Sequence, residues 1–440
     1  MPTKYYTYFI KLMRKLTFIT FFLTIFIASF AQIRGNEIEV LVTLDREGWT
    51  YKCGEQAQFK VQVLKSGALL KNAVVDYKMG VEMYEDVDKK DVTLKDGTLA
   101  LKGSMKNPGF YRLTVNAKVA GKTYEGMATA AFEPEKILPQ TDCPKDFDEF
   151  WSKALKDARD NTPLESTRRL LPEYCTDKVN VYEISYQTNH WDSRFYGILC
   201  VPTKPGKYPC MYKVPGAGCR AYYGDVYQAS RGCIVLEVGI HGVPVTNKDP
   251  FYKQLQNGPL YNYWTFQNNN KDEFYYKRVI IGAVRGIDYI ASLPEWDGKN
   301  IGVLGSSQGG WLTIATTALD KRVSCYAPVH AALCDHTASL KNIACGWPHY
   351  FYYDKNSRDP KVIETVKYYD GVNFAKRITQ PGWFSFGYND DVVPPTTCWA
   401  TYNIVSGPKE IHPYVKTKHF WYQEQYDEWL GWITAQMGIK

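Results

Sequence analysis

The stretch Asn300–Leu319, NIGVLGSSQGGWLTIATTAL, begins as a short apolar run, turns sharply at glycines and serines, and continues in a helical pattern. The run predicts a buried strand, and the segment after the turn predicts a packed helix. Within the turn, Gly305, Ser307 and Gly309 fit Gly-x-Ser-x-Gly, in which a strained connection lifts the serine above the edge of a sheet. The stretch therefore predicts a strand–turn–helix unit with Ser307 as candidate nucleophile and Ser306 as a neighbour packed at the turn.

Further short apolar segments surround this unit, and helical segments separate them. The strand-like segments are YPCMYKVPGAG (208–218), GCIVLEVGIHG (232–242), VSCYAPVH (323–330) and PGWFSFGYND (381–390), and the clearest helix is YYKRVIIGAVRGIDYIASLP (275–294). Apolar strands that do not alternate with polar residues, separated by helices, are typical of a parallel sheet covered on both faces. Residues 135–440 are therefore predicted to form an α/β domain with a mostly parallel sheet.

Residues 32–134 show a period-two pattern instead. Asp96-Gly97 joins two strand-like segments and is typical of a hairpin, and a later strand alternates Leu113 inward with Arg112 outward. Several short strands in about a hundred residues predict a small all-β, immunoglobulin-like sandwich. It contains no catalytic cluster, so we favour a spacer or packing module over a sugar-binding module, because a fold alone does not define a function.

The first 31 residues are predicted to be a secretory signal peptide. Four basic residues precede the uncharged apolar stretch 16–32, LTFITFFLTIFIASFAQ, and small Ser29 and Ala31 stand before Gln32. A membrane anchor is the alternative, but the run of about sixteen residues is short of the roughly 20 that a bilayer span requires. We therefore expect export to the periplasm or the exterior, with no membrane attachment after cleavage.

Charge and cysteine usage exclude other classes of protein. The formal charge of +7 falls to +3 without the four basic residues of the predicted signal peptide, which gives no argument for nucleic-acid binding. The eleven cysteines are scattered without zinc-site spacing, so no metal site is predicted. Cys200, Cys210, Cys219 and Cys233 could form disulfides in an exported protein, and buried free thiols are the equal alternative.

A serine nucleophile needs a base, and the imidazolium that forms needs an orienting carboxylate. In folds with this type of turn the partners follow in the order Ser, Asp, His. FSFGYNDDVVPP (384–395) offers Asp390 and Asp391, and VKTKHFWYQEQ (415–425) offers His419 directly before a helical segment. His412 also satisfies the order. The remaining candidates precede the acidic residues in the chain and are His241, His330, His336 and His349.

The negative charge of a tetrahedral intermediate needs hydrogen-bond donors. One is the backbone N–H after the nucleophile, here Gln308, and the second comes from the turn after an earlier strand. The segment VPGAGCR (214–220) supplies that turn, with the N–H of Ala217 as the predicted donor.

Three segments together resemble the acetyl xylan esterase/cephalosporin-C deacetylase family: DFDEFW (146–151), the stretch from DEFYYK to SSQGG (272–310), and DDVVPPTTCWATYNIVSGPKEI (390–411). The resemblance extends from residue 146 to the C-terminus. It implies an α/β-hydrolase with a Ser-His-Asp triad that removes acetyl groups from sugars without a metal or organic cofactor. Ser307 matches the nucleophile, His419 the base, and Asp390 the acid, because Asp390 stands at the family's spacing before Pro394-Pro395.

The sequence departs from the family at three places. The oxyanion turn reads Pro-Gly-Ala (215–217) instead of the usual His-Gly-Tyr, the usual Arg-Gly-Gln segment reads His-Gly-Val (241–243), and Phe420 replaces the glutamate that usually follows the base. Backbone donors survive the first change. We expect these differences to alter the shape of the pocket, and they leave the acetylated sugar open.

We therefore predict an exported serine esterase that deacetylates a plant polysaccharide or its oligosaccharides. The alternatives are a peptidase or another carboxylic ester hydrolase on the same scaffold, because the triad defines acyl transfer and not the leaving group, or a non-catalytic sugar-binding protein. The predicted partner is the acetylated carbohydrate. The number of subunits stays open, and a homo-oligomer is among the alternatives.

Overall fold

The computed structural model describes residues 37–353 and 358–439, so the predicted signal peptide lies outside the described residues. The chain begins with strands joined by short turns. Their bounds are β1 Ile38–Leu44, β2 Thr50–Tyr51, β3 Ala57–Lys65, β4 Ala68–Leu69, β5 Ala73–Val81, β6 Tyr84–Leu94, β7 Thr98–Gly103, β8 Gly109–Val119 and β9 Lys122–Phe132.

These strands form two sheets. In one, β3 pairs with β1 along one edge and with β4 and β7 along the other. The second has the order β2-β9-β8-β5-β6. Val61 and Val63 of the first sheet and Leu113 and Val115 of the second are fully buried in one apolar cluster. The region is therefore an additional β domain, and its immunoglobulin-like classification stays a prediction.

The hairpin predicted at Asp96-Gly97 is wrong. β6 pairs with β5 and β7 pairs with β3, so the turn connects two different sheets. Gly97 has φ of 83°, and its carbonyl accepts a hydrogen bond from the N–H of Val63 on β3. A turn sequence specifies a local reversal, but the strand beyond it pairs where its apolar residues find partners, and Leu99 of β7 lies opposite Val61.

A second correction concerns Arg112 on β8. The alternation predicted an outward, solvent-facing side chain, but the structure leaves Arg112 only 4% exposed. The side chain does point away from the core of the two sheets. The later part of the chain covers that face, because the loop around Asp390 packs against it.

The remainder of the chain alternates helices and strands. The helices are α1 Phe147–Asn161, α2 Val226–Ser230, α3 Asp249–Gln256, α4 Tyr275–Ser292, α5 Gln308–Leu319, α6 Pro360–Lys367, α7 Gly371–Ala375, α8 Pro395–Asn403 and α9 Gln423–Gln436. The strands are β10 Ser166–Leu170, β11 Val179–Gln187, β12 Arg194–Pro202, β13 Tyr208–Lys213, β14 Ile234–Gly239, β15 Trp296–Ser306, β16 Cys325–Val329, β17 Gly382–Phe386 and β18 Lys409–Pro413. Short 3-10 turns span Glu47–Trp49, Pro134–Lys136, Pro172–Tyr174, Tyr263–Thr265 and His336–Lys341.

These later strands form one sheet with the order β10-β11-β12-β14-β13-β15-β16-β17-β18. The six strands β13–β18 are parallel to one another. β10, β11 and β12 pair antiparallel, and β12 joins β14 in the same way. Apolar side chains of α4 and α5 belong to one buried cluster, and those of α9 belong to a second cluster with residues of β13, β15 and β16. The predicted α/β fold with a mostly parallel, doubly covered sheet is confirmed.

The strand order places the functional turns. β13 lies between β14 and β15, so the order of the chain reverses at β13. In open α/β sheets, ligands bind outside the carboxyl ends of the strands at such a reversal. The turn after β13 carries Ala217, and the turn after β15 carries Ser307. Both turns therefore meet at the edge where a ligand is expected.

All eleven cysteines belong to the described residues, and all are free. Of the two alternatives, the structure therefore has free thiols, eight of them buried. In residues 37–353 and 358–439, no helix has both the length and the apolar character that crossing a membrane requires.

Candidate active site

Ser307 occupies a strained turn between β15 and α5. Its backbone angles, φ of 60° and ψ of −124°, lie in a region that residues other than glycine rarely adopt. Ser307 is also the N-cap of α5. A Cβ on Gly305 would lie 2.5 Å from the carbonyl oxygen of Gly309, and one on Gly309 would lie 2.5 Å from the carbonyl oxygen of Val214. Only glycine fits at both positions, which explains the Gly-x-Ser-x-Gly spacing.

Three side chains from distant parts of the chain meet at this turn. Nε2 of His419 lies 3.1 Å from Oγ of Ser307, and Nδ1 of His419 lies 2.8 Å from Oδ2 of Asp390. Because a carboxylate only accepts, Nδ1 carries the hydrogen, and Nε2 is left to accept from the serine hydroxyl. This arrangement suits removal of a proton from Ser307.

The structure distinguishes the two acidic candidates. Asp390 is fully buried, and its Oδ1 accepts hydrogen bonds from the N–H groups of Val392 at 2.9 Å and Val393 at 2.7 Å. Asp391 is about half exposed and lies 3.5 Å from the ammonium of Lys418. Of the two, Asp390 has the fixed position and the contact to His419.

The competing histidines lie elsewhere or have other contacts. His412 lies on β18, stacks on Trp383 and faces the carboxylate of Glu410 at 3.5 Å. His336 and His349 are buried, and burial lowers the pKa of His336 to about 3 and of His349 to about 4. None of the three contacts Ser307.

Of the four histidines that the chain-order argument set aside, His330 is the one that lies against His419 and Asp390. It follows β16, its ring lies 5.0 Å from that of His419, and its Nδ1 lies 3.8 Å from Oδ2 of Asp390. Burial lowers the pKa of His330 to about 4, so the side chain is neutral at pH 7. The position directly after a central strand was the signal that could have found it. His330, Asp390 and His419 also bring potential metal-ligand atoms within 4.8 Å, but two of them already bond to each other.

The predicted oxyanion turn lies against Ser307. A Cβ on Gly216 would be 3.2 Å from the carbonyl oxygen of Ser306 and 4.0 Å from Cβ of Ser307. The amide of Gln308 reaches the same turn, because its Nε2 donates to the carbonyl of Pro215 at 3.4 Å. The backbone segments carrying the two predicted donors, Gln308 and Ala217, are thus adjacent to the nucleophile.

Two tyrosines that the sequence did not single out hold this arrangement. The hydroxyls of Tyr263 and Tyr276 donate to Oε1 of Gln308 at 2.6 and 2.8 Å. Tyr263 also accepts from the N–H of Gly218 at 3.3 Å, so it joins the oxyanion turn to the start of α5. Nε2 of His241 lies 3.2 Å from the carbonyl of Gly218, and burial lowers the pKa of His241 to about 4. A neutral His241 therefore donates from Nε2.

Replacing Tyr263 with phenylalanine should lower kcat by about tenfold, because it removes the bond to Gln308 and the bond from Gly218 at a turn that must stay fixed. Tyr276→Phe is the matched control, since it removes the other hydroxyl from Gln308 without touching Gly218. Steady-state kinetics on an acetyl ester measure both variants. Equal kcat values for the two variants would contradict a role for the bond to Gly218.

Comparisons with known proteins place these features in context. The family model "Acetyl xylan esterase (AXE1)" matches residues 133–435. Acetyl esterase Axe7A of Xylanibacter ruminicola is 38% identical over 395 residues, which is 88% of each chain. The acetyl xylan esterase of Paenibacillus sp. R4 is 28% identical with a TM-score of 0.60, and acetyl xylan esterase 1 of Thermoanaerobacterium sp. JW/SL YS485 is 22% identical with a TM-score of 0.58. Each structure aligns over 69% of this chain and 98% of its own.

Proposed function

The chain belongs to the acetyl xylan esterase family, and we propose from this premise that it is an exported serine esterase that deacetylates a plant polysaccharide or its oligosaccharides. That it is a carboxylic ester hydrolase follows from the family itself. The observation that carries the mechanism is the hydrogen-bonded series from Ser307 through His419 to Asp390.

In the proposed reaction, Oγ of Ser307 bonds to the acetyl carbonyl carbon while Nε2 of His419 takes its proton. The N–H groups of Gln308 and Ala217 hold the negative oxygen. The bond from the carbonyl carbon to the sugar oxygen then breaks, and His419 returns the proton to that oxygen. Water attacks the acetyl-enzyme in the same way and releases acetate. Apart from water, the proposed reaction uses only side chains and backbone groups of this chain.

Exposed aromatic residues on the loop that carries His419 support a sugar ester as substrate. Phe420 and Tyr422, on the loop that carries His419, are each close to half exposed, and their rings lie 5.7 Å apart. Exposed aromatic faces suit the apolar faces of sugar rings. The printed names of the relatives, acetyl esterase and acetyl xylan esterases, point to the same substrate class.

Acetate release from acetylated xylan and other acetylated polysaccharides, compared with peptide and aryl-ester panels, tests the substrate class. We expect the acetylated carbohydrates to be preferred. Preference for peptides would support the peptidase alternative. A serine-directed phosphonate should label Ser307, and a chain that takes no label and releases no acetate would instead be a sugar-binding protein.

Replacing Ala217 with proline should lower kcat roughly a hundredfold, because proline has no N–H to offer the oxyanion. Ala217→Gly is the matched control, since it changes the side chain and keeps the donor. The measurement is kcat on an acetyl ester, with circular dichroism to verify folding. Similar kcat values for the two folded variants would exclude Ala217 as the donor.

A further inference from the structure

The outer face of β8, which points away from the core of the two sheets, contacts the backbone of the loop that carries Asp390. Nη2 of Arg112 donates to the carbonyl of Tyr388 at 3.1 Å and to the carbonyl of Asp390 itself at 2.9 Å. Hydrogen bonds from a charged donor are stronger than those between neutral groups, and burial strengthens them further. One guanidinium nitrogen therefore ties down the backbone on both sides of Asn389.

Glu82, directly after β5, completes this contact from the other side. Its Oε1 lies 2.5 Å from Nη2 of Arg112, and its Oε2 accepts from the hydroxyl of Thr396 at 2.7 Å. Glu82 is 1% exposed, and burial raises its pKa to about 7 while the charge of Arg112 opposes that rise. We call residues 387–394, between β17 and α8, the acid loop. Because Thr396 lies at the start of α8, the pair Glu82–Arg112 contacts both the loop itself and the helix that follows it.

β9 holds the residue between the two carbonyls. Oγ1 of Thr129 accepts from Nε of Arg112 at 3.0 Å and donates to Oδ1 of Asn389 at 3.0 Å. Nδ2 of Asn389 donates to the carbonyl of Met127 on the same strand at 3.1 Å. Thr129 is fully buried and Asn389 is 4% exposed, so these bonds are shielded from water.

The loop that carries the base has a contact of its own with β9. Lys418, the residue before His419, pairs with the carboxylate of Glu125. The acid loop and the loop 414–422, which carries His419, thus both contact the additional β domain. The family model begins at residue 133, so Glu82, Arg112 and Thr129 all lie before the matched region.

We propose that the N-terminal β domain is part of the catalytic apparatus, with Arg112, Glu82 and Thr129 as positioning residues that fix Asp390 against His419. The proposal rests on the proposed function, because Asp390 needs this position only if it orients the base. A displacement of about 1 Å at such a group can cost about a hundredfold in rate. The β domain is then neither a spacer nor a separate sugar-binding module in its main role.

The test uses the full chain with the paired change Glu82→Gln and Arg112→Met, which removes both charges together and leaves no buried ion unpaired. We expect kcat on 4-nitrophenyl acetate to fall about tenfold to a hundredfold with KM within about twofold. Tyr352→Phe is the matched control. It removes a 2.7 Å hydrogen bond to the carbonyl of Met83, next to Glu82, without contacting the acid loop. A kcat equal to that of the control overturns the proposal.

Thr129→Val keeps the size of the side chain and the Glu82–Arg112 pair, so it serves if the double variant fails to fold. We expect about a tenfold loss of kcat, because the change removes the hydroxyl's hydrogen bond to Asn389 and the one that it accepts from Arg112. A kcat within about twofold of wild type in a folded Thr129→Val protein counts against the proposal.

A double-mutant cycle that combines the charge-pair change with Asp390→Asn separates an effect on the position of Asp390 from an effect on the stability of the fold. Without the carboxylate there is nothing to position, so the charge-pair change should lower kcat less than about twofold in that background. The same fold-loss in both backgrounds would show a merely structural role and overturn the proposal. Failure of the proposed function is visible separately: Ser307→Ala would then keep its activity, whatever the charge-pair variant does.

Discussion

Alanine at position 307 is expected to lower kcat for acetate release by roughly 10⁴-fold or more while the protein remains folded. The hydroxyl of Ser307 is the group that bonds to the acetyl carbon in the proposed reaction, and the imidazole of His419 at 3.1 Å has no other proton to take there. The residual rate would come from the oxyanion donors and from substrate binding, which survive the change. Acetate release at saturating substrate measures the effect.

Folding should be unaffected because the backbone contacts of Ser307 remain. Its N–H donates to the carbonyl of Val329 at 2.9 Å, and its carbonyl accepts from the N–H of Ala332 at 3.1 Å, whatever the side chain. The thermal midpoint checks this. Ser306→Ala is the control, because it removes the neighbouring hydroxyl of the same turn. A large loss in Ser306→Ala with near wild-type hydrolysis in Ser307→Ala would reassign the nucleophile.

The local signals of the α/β part predicted its central strands and the two helices that flank the serine turn. Glycine is required at a turn where the strand and the helix pass very close to each other. Gly305 and Gly309 therefore indicate such a close approach, which the structure has. Likewise, strands in which apolar residues do not alternate with polar ones indicate a sheet that is buried on both faces.

Order along the chain left His412 and Asp391 as alternatives, and the family resemblance favoured His419 and Asp390. The structure joins Ser307, His419 and Asp390 in one hydrogen-bonded series. Their catalytic roles stay predictions until the variants are measured.

Contacts between distant segments were not predictable in the same way. The alternation around Leu113 correctly separates the two faces of β8, but it cannot say what covers the outer one. Arg112 is buried by residues more than 270 positions later in the chain. Similarly, the turn at Gly97 predicts that the chain reverses there, but it does not predict that β7 pairs with β3. Tyr263 was missed because nothing in its sequence neighbourhood distinguishes it from a core aromatic residue. His330 was set aside by its order in the chain, although it directly follows a central strand.

Replacing Asp390 with asparagine should lower kcat roughly 10⁴-fold at neutral pH, with little change in folding. Oδ2 of Asp390 accepts from Nδ1 of His419 at 2.8 Å, and that bond keeps the hydrogen off Nε2. An amide group that donates to Nδ1 would stabilise the opposite tautomer, in which Nε2 carries the hydrogen and cannot accept from Ser307. The expected signature is a loss of kcat with KM nearly unchanged, measured on the same acetyl ester.

Asp391→Asn is the control that makes this prediction discriminating. The two acids are adjacent in sequence and equally plausible by chain order, but Asp391 is about half exposed and has Lys418 as its partner at 3.5 Å. Exposed ion pairs contribute about 0–1 kcal/mol, so kcat should stay within a few-fold of wild type. The opposite result, a severe loss in Asp391→Asn with Asp390→Asn active, would mean that the loop rearranges when substrate binds. The bonds from Val392 and Val393 to Asp390 argue against such a rearrangement, because they would have to break in a buried site.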